Sequence, residues 1–243
     1  FSGTLDPLAS GLLIIFFNKA TKLCSYFLNA DKSYEAIAKL GETSTTGDLD
    51  GDTLSTADVP NLKELDIKIL EKKYTGIIKQ TPPMYSALKH KGVRLYKYAR
   101  EGINIDRPSR DIEIYSIKIN IIDNNHLFIK VRCSKGTYIR TLVEQIGSDI
   151  GCGALVSKLV RTGINDVNIS KSVSLENFLS SSEEDICNKY IINGDLLLSK
   201  TDTCILSELI WPTTENFYQN IFNITCFTIQ AKSKVFYTEI ILL

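Results

Sequence analysis

Asp6 lies in Ser2-Gly3-Thr4-Leu5-Asp6-Pro7-Leu8-Ala9-Ser10-Gly11, a carboxylate with a glycine on either side. On a tight loop, flanking glycines let other groups approach, and such a carboxylate can act as a nucleophile or a base. The plainer use of the same residues is a helix cap. Pro7 suits the first position of a helix, and Asp6 would then accept a backbone N–H. Asp31-Lys32-Ser33-Tyr34 sets an aromatic ring after two polar residues, which fits either a strand core or a platform on which a base stacks. Residues 80–102 interleave Tyr85, Tyr96 and Tyr98 with Lys89, Lys91, Arg94, Lys97 and Arg100. Cations suit phosphates and rings suit splayed bases, although an amphipathic helix with a wet basic face accounts for part of the stretch. Residues 131–142 carry Tyr138 and Arg140 at the start of a helix, where a cation opposes the helix dipole. Either the surface tolerates that small cost or a carboxylate holds the guanidinium. Asp6 is a candidate for that carboxylate, because an arginine contact would keep it ionised.

The elements that must position these groups follow from periodicity. Residues 12–17 read as a buried strand and 20–28 as a short helix. Lys32–Leu40 alternates in the manner of a strand. Residues 42–60, rich in Thr, Asp and Gly, predict a polar loop or hairpin. A helix is predicted over 62–73, with Leu62, Leu65, Ile69 and Leu70 near helical spacing, and a short basic one over 94–101. Residues 112–122 and 127–133 read as strands joined by the Asp123-Asn124-Asn125 turn, 137–150 as a helix, and Ala154–Ile164 as extended. Strands and helices do not alternate as βαβ units, so the class is α+β: a mixed, largely antiparallel sheet flanked by helices.

Composition narrows the classes. Of 243 residues 44% are hydrophobic and 23% charged, which excludes collagen, coiled coil and wholesale disorder. The longest apolar run, 12–17, is far short of the roughly 20 residues of a membrane span. Lys+Arg and Asp+Glu are both 28, but the charge is unevenly spread. Residues 72–110 hold ten basic side chains against two acidic ones, whereas 162–243 hold five against ten. Basic charge gathered in one part of a neutral chain is the footprint of phosphate contacts, and a surface balanced by the acidic 42–71 stretch is its plainer equivalent. Six cysteines are scattered with no C-x-x-C pair, and the histidines are His90 and His126. That predicts reduced thiols, a cytoplasmic protein, and no zinc site. The chain starts with Phe1 rather than Met, which reads as a start within a longer protein.

The signals occur together in a known order. Gly3-Thr4-Leu5-Asp6-Pro7-Leu8-Ala9-Ser10-Gly11-Leu12-Leu13 resembles the catalytic motif of the TruB-type tRNA pseudouridine synthases. In sequence order so do Lys32-Ser33-Tyr34, Pro82-Pro83-Met84-Tyr85-Ser86-Ala87-Leu88-Lys89, Cys133-Ser134-Lys135-Gly136-Thr137-Tyr138-Ile139-Arg140, and Gly151-Cys152-Gly153 with Leu159-Val160-Arg161. The likeness covers about residues 1–180, and five motifs in order make chance a poor explanation. It implies that Asp6 is the catalytic aspartate and that Tyr34 stacks on the target uracil. It also implies that Arg140 pairs with Asp6 and that Tyr138 lies near the departing C5 proton. Leu159 would line an apolar wall, and Lys22 would be a basic contact to substrate. Lys89, Arg94, Lys97 and Arg100 would bind RNA. The implied substrate is the T-loop uridine of tRNA, position 55, flipped from its stack into a pocket, with no metal or cofactor. The partner is the T-arm stem-loop, and the enzyme is expected to be a monomer.

The resemblance divides the chain into residues 1–190, a pseudouridine synthase catalytic domain lacking its N-terminal segment, and 191–243, a divergent extension that is a candidate remnant of a PUA domain. Phe1 stands where family members often have His. That departure motivates the alternative function, an RNA-binding or tRNA-folding protein of the same fold with weakened catalysis. Retention of Asp6, Tyr34, Tyr138 and Arg140 together argues for the enzyme. A guide-dependent relative acting on rRNA is disfavoured by length. A glycosidase would need a second catalytic carboxylate, and no motif supplies one.

Overall fold

The computed structural model describes residues 3–174 and 224–232. In chain order the elements are β1 (Ala9–Asn18), a 3-10 turn (Lys19–Leu23), α1 (Cys24–Asn29), β2 (Lys32–Leu40), β3 (Glu42–Ser44) and β4 (Thr53–Thr56). There follow α2 (Glu64–Tyr74), β5 (Gly76–Gln80), β6 (Lys89–His90), β7 (Val93–Arg94), α3 (Leu95–Arg100), β8 (Arg110–Asp123) and β9 (His126–Cys133). The rest are α4 (Ile139–Ile150), β10 (Ala154–Ile164), β11 (Val167–Asn168), β12 (Val173–Ser174) and β13 (Ile224–Lys232). Two compact units emerge: Asp31–Val160, and Phe1–Ala30 together with Arg161–Leu243. The expected boundary at 190/191 falls outside the described residues.

In the unit 31–160 the sheet runs β10-β2-β9-β8-β5. β2 pairs antiparallel with β9, β9 with β8, and β8 with β5. Alternation in the sequence sends Ala36, Ala38, Leu40, Leu127, Ile129 and Val131 into the core. In β8 the buried positions step from Ile114 to Ile117, where a register shift interrupts the alternation. α2 packs on β8 through Ile67, Leu70 and Tyr74. Leu65 and Ile69, expected near that face, are 68% and 58% exposed. The stripe at 67, 70 and 74 buries an aromatic ring as well as two aliphatic chains, and it sets the rotation of the helix.

α4 buries Leu142, Val143 and Ile146 and begins at Ile139, two residues later than predicted, because Tyr138 is extended. It ends on left-handed Gly151, whose N–H bonds the Gly147 carbonyl at 3.1 Å. Residues 42–60 form the expected hairpin, β3 with β4. The loop between them docks on β10, with Val156 N–H donating to Gly47 O at 3.0 Å and Leu49 N–H to Val156 O at 3.2 Å.

In the other unit β13 lies between β1, antiparallel to it, and β12, parallel to it. Leu12, Ile14, Phe16, Leu23, Phe27 and Ile164 form its core, with the Phe16 and Phe27 rings 5.3 Å apart. The single helix predicted over 20–28 is instead a 3-10 turn followed by α1. The sheet is mostly antiparallel and the class is α+β, as the lack of βαβ alternation predicts. No helix among the described residues is long and apolar enough to cross a membrane.

Candidate active site and exposed basic residues

No helix follows Pro7. The Ala9 N–H donates to Asp6 O at 2.9 Å, closing a four-residue turn from which β1 departs. Asp favours the first position of such a turn and Pro the second, so the local sequence chooses a turn over a cap. Asp6 is half-buried at its start. The segment is gripped at both ends by Arg161, which is 2% exposed. Its Nε donates to Leu12 O at 2.8 Å and its Nη2 to Gly3 O at 3.2 Å. Gly11 has φ +114°, and a Cβ there would lie 2.3 Å from the Arg161 carbonyl oxygen. That glycine therefore admits the β10 backbone. Lys22 is exposed in the 3-10 turn of the same unit.

The remaining candidates belong to the unit 31–160. Tyr34 is half-buried on β2, opposite Val131 of β9. Leu159 is 5% exposed on β10. Tyr138 is half-buried where the chain enters α4. The Arg110 guanidinium lies 5.5 Å from its ring centroid. Arg140, in the first turn of α4, is 3% exposed. Its Nη1 donates to Thr46 O at 2.7 Å and its Nη2 to Tyr85 O at 2.8 Å. The Asp48 carboxylate lies 3.7 Å from Nη1. The guanidinium thus ties α4 both to the β3–β4 loop and to the Pro82-Pro83-Met84-Tyr85 segment.

Asp48 is the residue that sequence reasoning missed. It too is 3% exposed and accepts from Thr46 Oγ1 at 2.5 Å and from Asp50 N–H at 3.1 Å. Its signal in the sequence is an acidic residue beside a glycine, in a stretch read as a polar loop or hairpin. Near it, burial pushes the Glu144 carboxyl above its ordinary range, Arg140 pulls it down and Asp48 pushes it up.

Lys89, Arg94, Lys97 and Arg100 all point to solvent. β6 and β7 form a minimal hairpin that runs into α3, anchored by buried Leu95. Tyr98 O–H donates to His90 O at 3.5 Å, and Arg100 lies over the Tyr96 ring at 5.4 Å. The result is a small module that presents four cations and two rings. Among the described residues no cluster of His, Cys, Asp or Glu fits a metal ion.

The model of the TruB family pseudouridylate synthases (N terminal domain) matches residues 1–139. The chain is 46% identical over 185 residues to tRNA pseudouridine synthase B of Nitrosococcus oceani, covering 76% of this chain and 60% of that protein. It is 44% identical over 212 residues to tRNA pseudouridine synthase B of Neisseria meningitidis serogroup A, covering 85% and 67%. Among solved structures, the crystal structure of a Cbf5-Nop10-Gar1 complex aligns at TM-score 0.53 and 28% identity, over 72% of this chain and 43% of that one. The chain spans about 60% of the length of the first curated relatives it matches.

Proposed function

We propose, on the premise that the chain belongs to the TruB family of pseudouridylate synthases and has their fold, that it isomerises the T-loop uridine of tRNA, position 55, to pseudouridine. The observation that carries the reading is the identity to tRNA pseudouridine synthase B, 44% over 212 residues, in a chain that keeps Asp6, Tyr34, Tyr138 and Arg140.

The chemistry asks for a base taken out of its stack, since the reacting atoms are out of reach within it. Asp6, held on its turn by Arg161, attacks covalently at C6 of the uracil or C1′ of the ribose. The N1–C1′ bond breaks, the base turns, a C5–C1′ bond forms, and the covalent bond to Asp6 breaks to return its free carboxylate. The C5 proton leaves and N1 gains one. Uridine and pseudouridine are isomers, so the balance requires no electron donor or acceptor.

Tyr34 stacks on the uracil, Leu159 walls the pocket, and Tyr138 lies beside the departing C5 proton. Arg140 keeps Asp6 ionised, and Lys22 contacts the substrate. Lys89, Arg94, Lys97 and Arg100 meet phosphates of the T-arm stem-loop. A hairpin loop is a suitable target because its bases are already partly unstacked. The same reading makes residues 1–190 the catalytic domain of a cytoplasmic monomer that uses no cofactor.

The test is carbodiimide adduct mapping of an unmodified tRNA transcript incubated with the protein. An alkali-resistant adduct at the T-loop uridine alone supports the reading. An unmodified T-loop, or an adduct elsewhere, contradicts it.

A further inference from the structure

We propose that Gln80 and Arg110 are positioning residues for Tyr138, an inference that rests on the synthase reading above. Gln80 is the last residue of β5, and its cross-strand partner in β8 is Arg110. Directly opposed residues of an antiparallel pair project to the same face of the sheet. Both side chains reach the one turn that leads into α4. Gln80 is 1% exposed, and its amide pairs with both main-chain polar groups of Tyr138. Nε2 donates to Tyr138 O at 3.0 Å, and Oε1 accepts from Tyr138 N–H at 2.7 Å. The amide therefore pairs with Tyr138 as a neighbouring strand would.

Arg110 approaches the same turn with its guanidinium. It donates to Gly136 O at 2.5 Å and lies 5.5 Å from the Tyr138 ring centroid. Main chain and ring are thus held separately, and neither grip uses the Tyr138 hydroxyl. Ser134 fixes the start of the turn. Its N–H donates to Glu113 O at 2.8 Å, and its Oγ accepts from Glu113 N–H at 2.9 Å. A buried glutamine whose donor and acceptor both pair with one tyrosine's backbone satisfies its own polar groups and fixes that backbone in place. With Tyr138 beside the C5 proton, a displacement of its ring by about 1 Å would slow the reaction about a hundredfold with little change in RNA affinity.

The test follows single-turnover release of tritium from C5 of a T-arm RNA, with RNA affinity measured in parallel, in the full chain. Gln80→Met removes both hydrogen bonds. Release is expected to slow by about tenfold to a hundredfold, while Kd moves by less than about threefold. Gln80→Glu supplies the discriminating readout. Its carboxylate cannot donate to Tyr138 O, whereas the protonated acid can, so its rate relative to wild type should recover as pH falls and that of Gln80→Met should not.

If Gln80→Met fails to fold, Arg110→Met reads the other grip, with the same split between rate and Kd expected. Wild-type release from Gln80→Met overturns the proposal. So do equal rates of the Glu and Met variants at every pH, or a loss confined to Kd. No release from the wild-type chain overturns the synthase reading, and this inference falls with it.

Discussion

Arg140 shows how a single side chain can be both a cost and a device. It is a buried cation near the positive end of a helix dipole, and the carbonyls of Thr46 and Tyr85 with the Asp48 carboxylate offset that cost. Asp48→Ala takes one carboxylate from Arg140 and the acceptor from Thr46 Oγ1 and the Asp50 N–H. It is therefore expected to lower stability by about 1–3 kcal/mol in urea unfolding, and Asp48→Asn, which keeps an acceptor, by less. A loss below about 0.5 kcal/mol for the alanine variant would contradict the role given to the pair.

Glu144 gives a pH signature at the same place. Burial raises its folded carboxyl above the ordinary 4.5, so between the two values the folded protein holds more proton than the unfolded chain. Stability contributed by that proton is lost as pH rises through the window. Glu144→Gln should stabilise the protein at neutral pH and lose that advantage toward pH 4, as read by melts across pH. For Arg140 the sequence left two readings, a solvated cation that tolerates the dipole or one held by a carboxylate, and its burial selects the held one. Asp48 was not legible as its partner, because it lies in polar loop material and only the fold brings it to α4.

At the scale of elements, close approach decides what a glycine is worth. Alanine in a helix interior ordinarily gains about 0.5–1 kcal/mol over glycine. At Gly147 of α4 a Cβ would lie 2.3 Å from the Ala154 nitrogen. Gly147→Ala should therefore lower the melting temperature, by pushing α4 off β10, and an increase would show that the neighbouring backbone yields freely.

Alternation made Lys32–Leu40 readable as β2, and Ala154–Ile164, read as extended without clean alternation, is the observed β10. The two-residue strands β6 and β7 carry too little pattern to read. The turn over residues 6–9 was hidden by the ambiguity of Asp-Pro, which starts turns as readily as helices. The Gln80–Tyr138 pairing was invisible because it depends on the register of β5 against β8, a long-range fact with no local signature.

On the scale of the whole molecule, zero net charge conceals a polarised chain, with ten basic side chains against two acidic in residues 72–110. Lys89, Arg94, Lys97 and Arg100 stand exposed within that stretch. If each meets a phosphate, replacing all four by glutamine lowers the magnitude of the salt slope of RNA binding by about 0.7–0.9 for every phosphate no longer neutralised. An unchanged slope would assign the cations to an ordinary solvated face. The proposed reaction stands or falls on Asp6 as the group that drives isomerisation of a tRNA uridine. Tritium release from C5 of the T-loop uridine, compared between wild type and Asp6→Asn, reads that dependence at the reacting carbon. Release by the wild type and none by Asp6→Asn is expected, with RNA affinity retained in both. Release that survives Asp6→Asn, or wild-type protein that binds the RNA tightly and releases nothing, would contradict it.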